Sequence, residues 1–395
     1  NMKLIVNSKT LKKAIDLSLK VIPSKVTIDE LKCILISIDE TKPAMVISST
    51  DLETSVTTIT PIEEYVKGEV TSFIVDAKKL SEMIATIGDI AIEIELKKHK
   101  DNGDYVLLIE AGLLQAKIIA HSSDSFYKIP IKPISDSEYN IEPVKFVKAL
   151  EDSVPFASND DFRPILQGIN LELKNGKIVI TTTDTKILTN IKISDDILVI
   201  GDNNEKNLII PKKTAKLLKS FINLKLPTIT ISFTDKHIFF QSEDIIISSL
   251  LLDGKYIDYR KGIPKGDNIK ILVDKDMLLN SILRASYFSA PEFPIVQLFV
   301  EKDTNLMVIS AEEHNLGINS NDIIELKETL CERVLVCFNS KNLQIALTNL
   351  SVISEDSNNI IIEYFGSDKA ILIYPEVQSS FIITHSLVMP YIKNI

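Results

Sequence analysis

The stretch FIVDAKKLSEMI at Phe73–Ile84 runs a hydrophobic strand straight into a helix, and its pattern returns as LIIPKKTAKLL at Leu208–Leu218 and VCFNSKNLQIAL at Val336–Leu347. The offsets are 135 and 128 residues. Working outward, each occurrence keeps the same neighbours in the same order. A helical pattern opens each copy, at Ser8 to Ile22, Glu142 to Ala157 and Asp274 to Ala290. A strand then stops at a small polar cluster: Ser49-Thr50-Asp51, Thr182-Thr183-Asp184, and the degraded Ser310-Ala311-Glu312. Each copy closes on further strands ending in SSDSFYKIPIK, LLLDGKYIDYRKGIPK and FIITHSLVMPYIK. Four landmarks in one order, three times over, define one architectural unit used three times.

Chain length agrees, since 395 residues exceed one ordinary core and suit two or three domains. Ile-rich, Gly-poor usage favours sheet, because β-branched side chains fit a pleated, half-buried surface. In the first copy strands are expected at 33–38, 44–49, 55–59, 69–75, 90–96, 105–110 and 115–120, and Asn175-Gly176 marks a hairpin turn in the second. About two helices and seven or eight strands per copy give an α+β fold, helices covering antiparallel sheet. Pro, Gly, Ser and Asp near 130–139 and 261–268 place the boundaries, giving domains 1–132, 133–263 and 264–395.

A net charge of −10 argues against nucleic-acid binding until its distribution is read. The expected helices 8–22, 76–87, 142–157, 211–224, 274–290 and 339–353 carry +3, 0, −1, +4, 0 and +1, a net +7 that leaves −17 elsewhere. Lys9, Lys12, Lys13 and Lys20 lie in the first helix and Lys212, Lys213, Lys216 and Lys219 in the fourth, several on one face. Leu11, Ile15 and Leu19, like Leu217, Leu218 and Phe221, fall on other faces and are expected to pack on sheet. A single lysine-rich face is usually a solvated one; recurrence in helices, against acidic strands and loops, suits a protein surrounding a polyanion.

Motifs for chemistry are missing from the sequence. It has no phosphate loop, dinucleotide turn, nucleophile elbow or zincin helix, and twelve glycines leave few places to cradle a phosphate. His99, His121, His237, His314 and His385 have no ligand spacing. Glu63-Glu64, Asp160-Asp161, Asp195-Asp196 and Glu312-Glu313 read as solvated turns or strand ends. Cys33, Cys331 and Cys337, odd in number and unpaired in spacing, point to a reducing compartment and to buried thiols. With no leader and no apolar run of membrane length, the expectation is a cytoplasmic protein that binds or scaffolds, without catalytic site, metal or cofactor.

Five segments then carry a resemblance: MKLIV at Met2, SSTDLETSV at Ser48, TTTDTKILT at Thr181, LLDGKYIDYRKGIPK at Leu251 and VMPYIKNI at Val388. Together they resemble the bacterial DNA polymerase III beta subunit, the replicative sliding clamp, over essentially the whole chain. Asn1, ahead of Met2, reads as an addition to the natural start, and Lys393-Asn394-Ile395 extend beyond the family's common end.

The resemblance implies a head-to-tail homodimer whose six domains form a ring around double-stranded DNA, helices lining the hole. It implies an accessory subunit that tethers the polymerase's catalytic subunit, with the clamp loader and other clamp-binding-motif proteins as further partners and no membrane association. DNA proximity is expected for Lys9, Lys12, Lys13, Lys20, Lys25, Lys212, Lys213, Lys216, Lys219, Arg284 and Lys341, Lys25 standing where the family has a DNA-contacting arginine. Partner peptides are expected in a pocket between the second and third domains. Leu166, Thr183, Leu188, Val388, Met389 and Pro390 match the family there, with Tyr391 beside them. The departures are Thr185-Lys186-Ile187 for the family's Gly-His-Arg, Ile257 for a proline and Lys261 for an arginine. At the ring joint the resemblance places Ile118 against Tyr287 and Phe288 of a second copy, although both segments also suit their own cores. Two other readings stay open: an enzyme assembled from dispersed residues, and a β-rich scaffold without a lysine-lined channel.

Overall fold

The computed structural model describes residues 1–25, 27–99, 104–134, 137–194, 197–201, 205–223, 225–313, 317–350, 357–379 and 382–392. His314, Asp195, Asp196 and Lys393–Ile395 lie outside the described residues.

Among the described residues six α-helices open the copies and their second halves: α1 Ser8–Leu19, α2 Ala77–Ile84, α3 Pro143–Ser153, α4 Lys212–Asn223, α5 Lys275–Ser286 and α6 Ser340–Thr348. At Asp76, Asp274 and Asn339 the residue that begins the expected span is a cap, not part of the first turn, and Asn7 caps from one place before the expected start at Ser8. Asn7 Oδ1 accepts from the Lys9 and Thr10 amides, Asp76 from Lys79, Asp274 from Met277 and Asn339 from Lys341 and Asn342, satisfying amides no helix can pair internally. The far ends fall short of expectation for stated reasons. α1 stops at Leu19 because Pro23 disfavours helical backbone at Ile22. α3 gives way to a 3₁₀ turn at Val154–Phe156, since Pro155 has no amide to donate.

Contact clustering divides the chain into two compact units, residues 1–143 with 217–251 and residues 144–216 with 252–395. In the first unit one sheet runs through strands 137–141, 229–233, 237–242, 245–250, 54–61, 44–50, 33–39 and 72–76, then on through 114–122, 105–111, 91–98, 2–7 and 64–66. Its core gathers Leu4, Val6, Leu11, Ile15, Ile34, Ile36, Phe73, Val75, Leu80 and Ile94 beneath α1 and α2. In the second unit an eight-stranded sheet runs 269–274, 359–364, 371–375, 382–388, 187–193, 177–183, 168–174 and 206–211, accompanied by a four-stranded sheet 318–330, 304–313, 295–300 and 334–339. The short strands at 2–7 and 64–66 were not expected from the sequence.

The eight-strand order is the same in both units, and its centre is a seam joining one copy to the next. Strand 54–61 of the first copy pairs antiparallel with 245–250 of the second (Val56 opposite Ile247), and 187–193 of the second pairs with 382–388 of the third (Thr189 opposite Ser386). The expected hairpin at Asn175-Gly176 is present, both residues at positive φ (51° and 67°) between paired strands 168–174 and 177–183.

Candidate nucleic-acid interface and partner pocket

Amphipathic packing decides where the lysines point. In α1 the buried positions are Ser8, Leu11, Ala14, Ile15, Leu17 and Ser18, which turn Lys9, Lys13 and Lys20 outward. In α4, Thr214, Ala215, Leu217, Leu218, Ser220 and Phe221 are buried, leaving Lys213, Lys216 and Lys219 on the exposed face at helical spacing. Lys25 and Lys341 are also exposed.

Several of these charges already have partners. Lys12 Nζ binds Asp16 at 2.6 Å, Lys9 lies 3.6 Å from Asp89, and Lys20 donates to Ser220 Oγ at 3.1 Å. Lys212 donates to Ser158 O (2.9 Å) and Asn159 Oδ1 (2.8 Å), and burial lowers its pKa below the usual lysine range. Arg284 donates from Nε to Asp322 Oδ2 at 2.8 Å and pairs with it again through Nη2, which spends much of its charge locally.

The pocket candidates of the second unit gather around one turn. At Thr183–Ile187 the Thr183 hydroxyl donates to Ile187 O (2.5 Å) and accepts from the Thr185 amide (3.0 Å), while Asp184 Oδ1 accepts from the Lys186 and Ile187 amides (2.8 and 2.9 Å). Thr185 sits at φ 83°, backbone that favours glycine. The Thr183 amide donates to Tyr256 Oη at 3.1 Å, and burial raises the Tyr256 phenol well above its ordinary pKa, keeping it neutral.

Two small apolar clusters flank this turn. Leu188, Tyr259, Ala370 and Leu387 pack together with Ile263 and Leu372; Leu166, Ile209 and Tyr256 pack with Ile165 and Leu252. Gly168 belongs to the second cluster's wall, where an added Cβ would lie 2.5 Å from Ile209 and 2.6 Å from Leu252. Met389 (40% exposed) and Tyr391 (43%) lie at the surface, tied by Met389 N–H to Lys186 O (2.8 Å) and Tyr391 N–H to Cys337 O (2.7 Å); Pro390 between them is half-buried. Ile257 is exposed, and Lys261 points to solvent beside Asp258 at 3.2 Å. Val388 stands apart, fully buried in the main core.

Sequence reading passed over Tyr256, Tyr259, Arg260 and Glu172. The signal was available for the first three, since they lie within the DGKYIDYRKGIPK stretch. Glu172 lies 87 residues from Tyr259 and gave none.

At the expected joint, Tyr287 is 81% exposed and Phe288 39%, whereas Ile118 packs partly buried against the first unit's core. Among the described residues no group of three or more His, Cys, Asp or Glu side chains could hold a metal ion. No described helix is long and apolar enough to cross a membrane. Of the three thiols expected to be buried, Cys33 is, Cys337 is half-buried and Cys331 is exposed; burial pushes the Cys33 pKa up to about 11, away from reactivity.

Repeated copies of helices packed on sheet, joined by antiparallel seams and carrying outward lysines, define an α+β clamp-like architecture. Residues 2–126 match the family model of the DNA polymerase III beta subunit, N-terminal domain, and residues 140–258 match that of its central domain. The beta sliding clamp of Bacillus subtilis is 25% identical over 323 residues, covering 80% of this chain and 82% of that one. The Halalkalibacterium halodurans beta sliding clamp is 24% identical over 368 residues, covering 90% and 91%. Among solved structures, a Pseudomonas aeruginosa DNA polymerase sliding clamp superposes with a TM-score of 0.86 at 19% identity, over 99% of this chain and 100% of that one. The Bacillus subtilis clamp structure gives 0.85 at 21%, over 99% of each. The chain is a homologue of the bacterial DNA polymerase III beta sliding clamp.

Proposed function

We propose that two copies of this chain join head to tail into a ring around duplex DNA and tether a replicative polymerase and other DNA-processing proteins to it. The observation that carries this reading is the pair of strand edges the seams leave over. In each seam, the strand after one copy's polar stop pairs with the last strand of the next copy. Among the described residues, strand 318–330 of the third copy has no such strand to meet and ends its sheet. Strand 114–122 of the first copy is the matching last strand, and beyond its pairing with 105–111 it meets 72–76 only through residues 120–122. Both edges carry exposed apolar side chains, Leu114 and Ile119 on one, Ile318 and Ile323 on the other. Free apolar edges are a liability to a soluble protein unless something pairs them. Pairing 114–119 of one protomer with 318–330 of its partner repeats the seam twice and closes a ring of six copies. In this reading the copies are domains 1–132, 133–263 and 264–395, and Ile118, Tyr287 and Phe288 flank the joint.

DNA contact follows from the lysine faces of α1 and α4, with Lys25, Arg284 and Lys341. A topological tether requires contacts weak enough to slide and without base readout. Lysine suits this role as a point charge on a mobile stem that fixes no phosphate geometry. Tethering raises the effective concentration of the polymerase at its template without tighter DNA binding. Partner peptides, from the polymerase catalytic subunit, the clamp loader and others, would dock beside Leu166, Thr183, Thr185, Leu188, Ile257, Lys261, Met389, Pro390 and Tyr391. In this reading the protein is a cytoplasmic processivity factor without a catalytic site of its own. A Pseudomonas aeruginosa clamp has been solved bound to griselimycin, and we propose that compound as a probe of the partner pocket of this chain.

Light scattering over a range of concentrations tests the ring. The expected species has twice the 44.2 kDa chain mass and stays on nicked circular DNA but slides off the linear form. Changing Lys212, Lys213, Lys216 and Lys219 together to glutamate should abolish loading without changing that mass. A persistent monomer would overturn the reading.

A further inference from the structure

We infer that Glu172 is a positioning residue that holds the Tyr256–Gly262 segment in place as the rim of the partner pocket, a role resting on the pocket reading above. Residues 251–258 form no strand or helix, and only a 3₁₀ turn follows at Tyr259–Gly262. Such a segment has no ladder of backbone hydrogen bonds, so its position depends on side-chain ties. At one end Tyr256 Oη accepts the Thr183 amide. At the other, Tyr259 and Arg260 are both tied to a single carboxylate.

Glu172 lies on strand 168–174 and is 8% exposed. Its Oε1 accepts from Tyr259 Oη at 3.1 Å and from Asn170 Nδ2 at 3.2 Å, while Oε2 accepts from Arg260 Nη2 at 2.5 Å. Arg260 also lies over the Tyr259 ring, its Cζ 4.6 Å from the centroid. Asn190 Nδ2 also donates to Tyr259 Oη at 3.3 Å, and the Thr181 side chain is a further hydrogen-bond partner of that phenol. Tyr259 in turn packs against Leu188 and Leu387. The carboxylate therefore fixes the ring that forms one side of the Leu188 pocket, and through Arg260 it fixes the next residue as well. The carboxylate is the buried member of the pair, its side chain 10% exposed against 60% for Arg260, so losing the arginine leaves a buried charge without its cation, whereas losing Glu172 frees a guanidinium that water already reaches and releases the Tyr259 ring.

The first copy supports the assignment by contrast. Counting along the seams and their neighbouring strands, Ser37 occupies the place of Glu172, and it bonds only to Ser72 across the strand pair (3.1 Å). Where the fold alone is needed, the carboxylate is dispensed with.

The test uses the full-length chain and its Glu172→Ala, Glu172→Gln and Arg260→Gln variants. Amide hydrogen exchange, which needs no ligand, should quicken at least tenfold over 256–262 in Glu172→Ala, while 187–193 keeps the wild-type rate. Griselimycin should dissociate at least tenfold faster from that variant. Glu172→Gln combined with Arg260→Gln should lose no more affinity than either alone, as expected for partners in one tie. Unchanged exchange over 256–262 overturns the positioning role. Faster exchange in a chain whose wild type takes up no griselimycin overturns the pocket reading instead, and leaves Glu172 an anchor of the fold.

Discussion

The turns at Thr50–Thr54 and Thr183–Ile187 share one backbone and one set of hydrogen bonds, yet sit in different surroundings. In the first, Thr50 Oγ1 donates to Thr54 O (3.1 Å) and accepts from the Leu52 amide (3.0 Å), and Asp51 Oδ1 accepts from the Glu53 and Thr54 amides (3.1 and 2.7 Å). Leu52 is at φ 80°, as Thr185 is at 83°. Each of the four Thr and Asp side-chain bonds of the second turn has its counterpart in the first. Around them the side chains diverge. By register, Leu188, Leu387, Ala370 and Leu372 of the second unit correspond to Ser55, Ser248, His237 and Phe239 of the first. The first unit's turn borders a groove of about 480 Å³ that Tyr127, Lys128, Pro130 and His237 help to line. The Thr-Asp turn is thus a device for reversing the chain into a seam. Apolar partners from the next copy and a tied rim stand beside the second turn, and there the proposed peptide site lies.

The largest expected effect comes from exchanging the surroundings. Leu188→Ser places the first copy's residue beside the second turn, removing a side chain that is 5% exposed. It should lower stability by about 2–4 kcal/mol, as other buried leucine truncations do, and weaken griselimycin at least tenfold by fluorescence anisotropy. The reciprocal Ser55→Leu should leave griselimycin affinity unchanged. A Leu188→Ser chain that binds as wild type would break the comparison.

A smaller effect separates the two seams by pH. His385 stands opposite Asn190 in the second seam, and the matching place in the first is Ile246, opposite Thr57. Burial holds the His385 pKa below its ordinary 6.5. Below that value the unfolded chain binds a proton that the folded chain refuses, so stability falls as the solution is acidified. The loss is at most about 1.4 kcal/mol per pH unit. Hydrogen exchange at pH 7.5 and 5.5, corrected for intrinsic rates, should show strand 382–388 weakening with acid more than 245–250, beside which His237, also held below its ordinary pKa by burial, stands opposite Leu250. His385→Ile should flatten the difference, and equal weakening of both strands would assign the acid response elsewhere.

What the sequence made legible follows from the range of the interactions. The helix starts, the Asn175-Gly176 hairpin and the Thr-Asp turns are set by side chains within a few residues; the hairpin and turns stand where the pattern placed them, and the helix starts do so to within the cap residue. The seams were hidden, because nothing local in 54–61 says that 245–250 will lie beside it. The same distance hid Glu172. Charge was legible as composition but not as available charge: Arg284 reads as a free cation in sequence and is paired with Asp322 in the fold. The third copy lost its polar stop, and there strand 304–313 runs on to pair with 318–330 as far as Glu313 opposite Ile318.

The smallest effect tests whether the two turns are the same device. Neither Leu52 nor Thr185 is glycine, although both hold φ near 80°, where a Cβ crowds the backbone and a β-branched residue fits worst. The turn's four hydrogen bonds outweigh this strain in both copies. Replacing either residue by glycine relieves the clash but loosens the unfolded chain, and the two effects oppose each other. At so unfavourable a φ the relief should win, raising stability by about 1 kcal/mol in Thr185→Gly and by somewhat less in Leu52→Gly, whose side chain is not branched at Cβ. Urea unfolding of the two variants measures it. Gains of the same sign support one device used twice. Loss in Thr185→Gly alone would mean that its side chain is held by contacts the first copy lacks, for which the Arg163 Nη1 donation to Thr185 Oγ1 at 3.5 Å is the candidate.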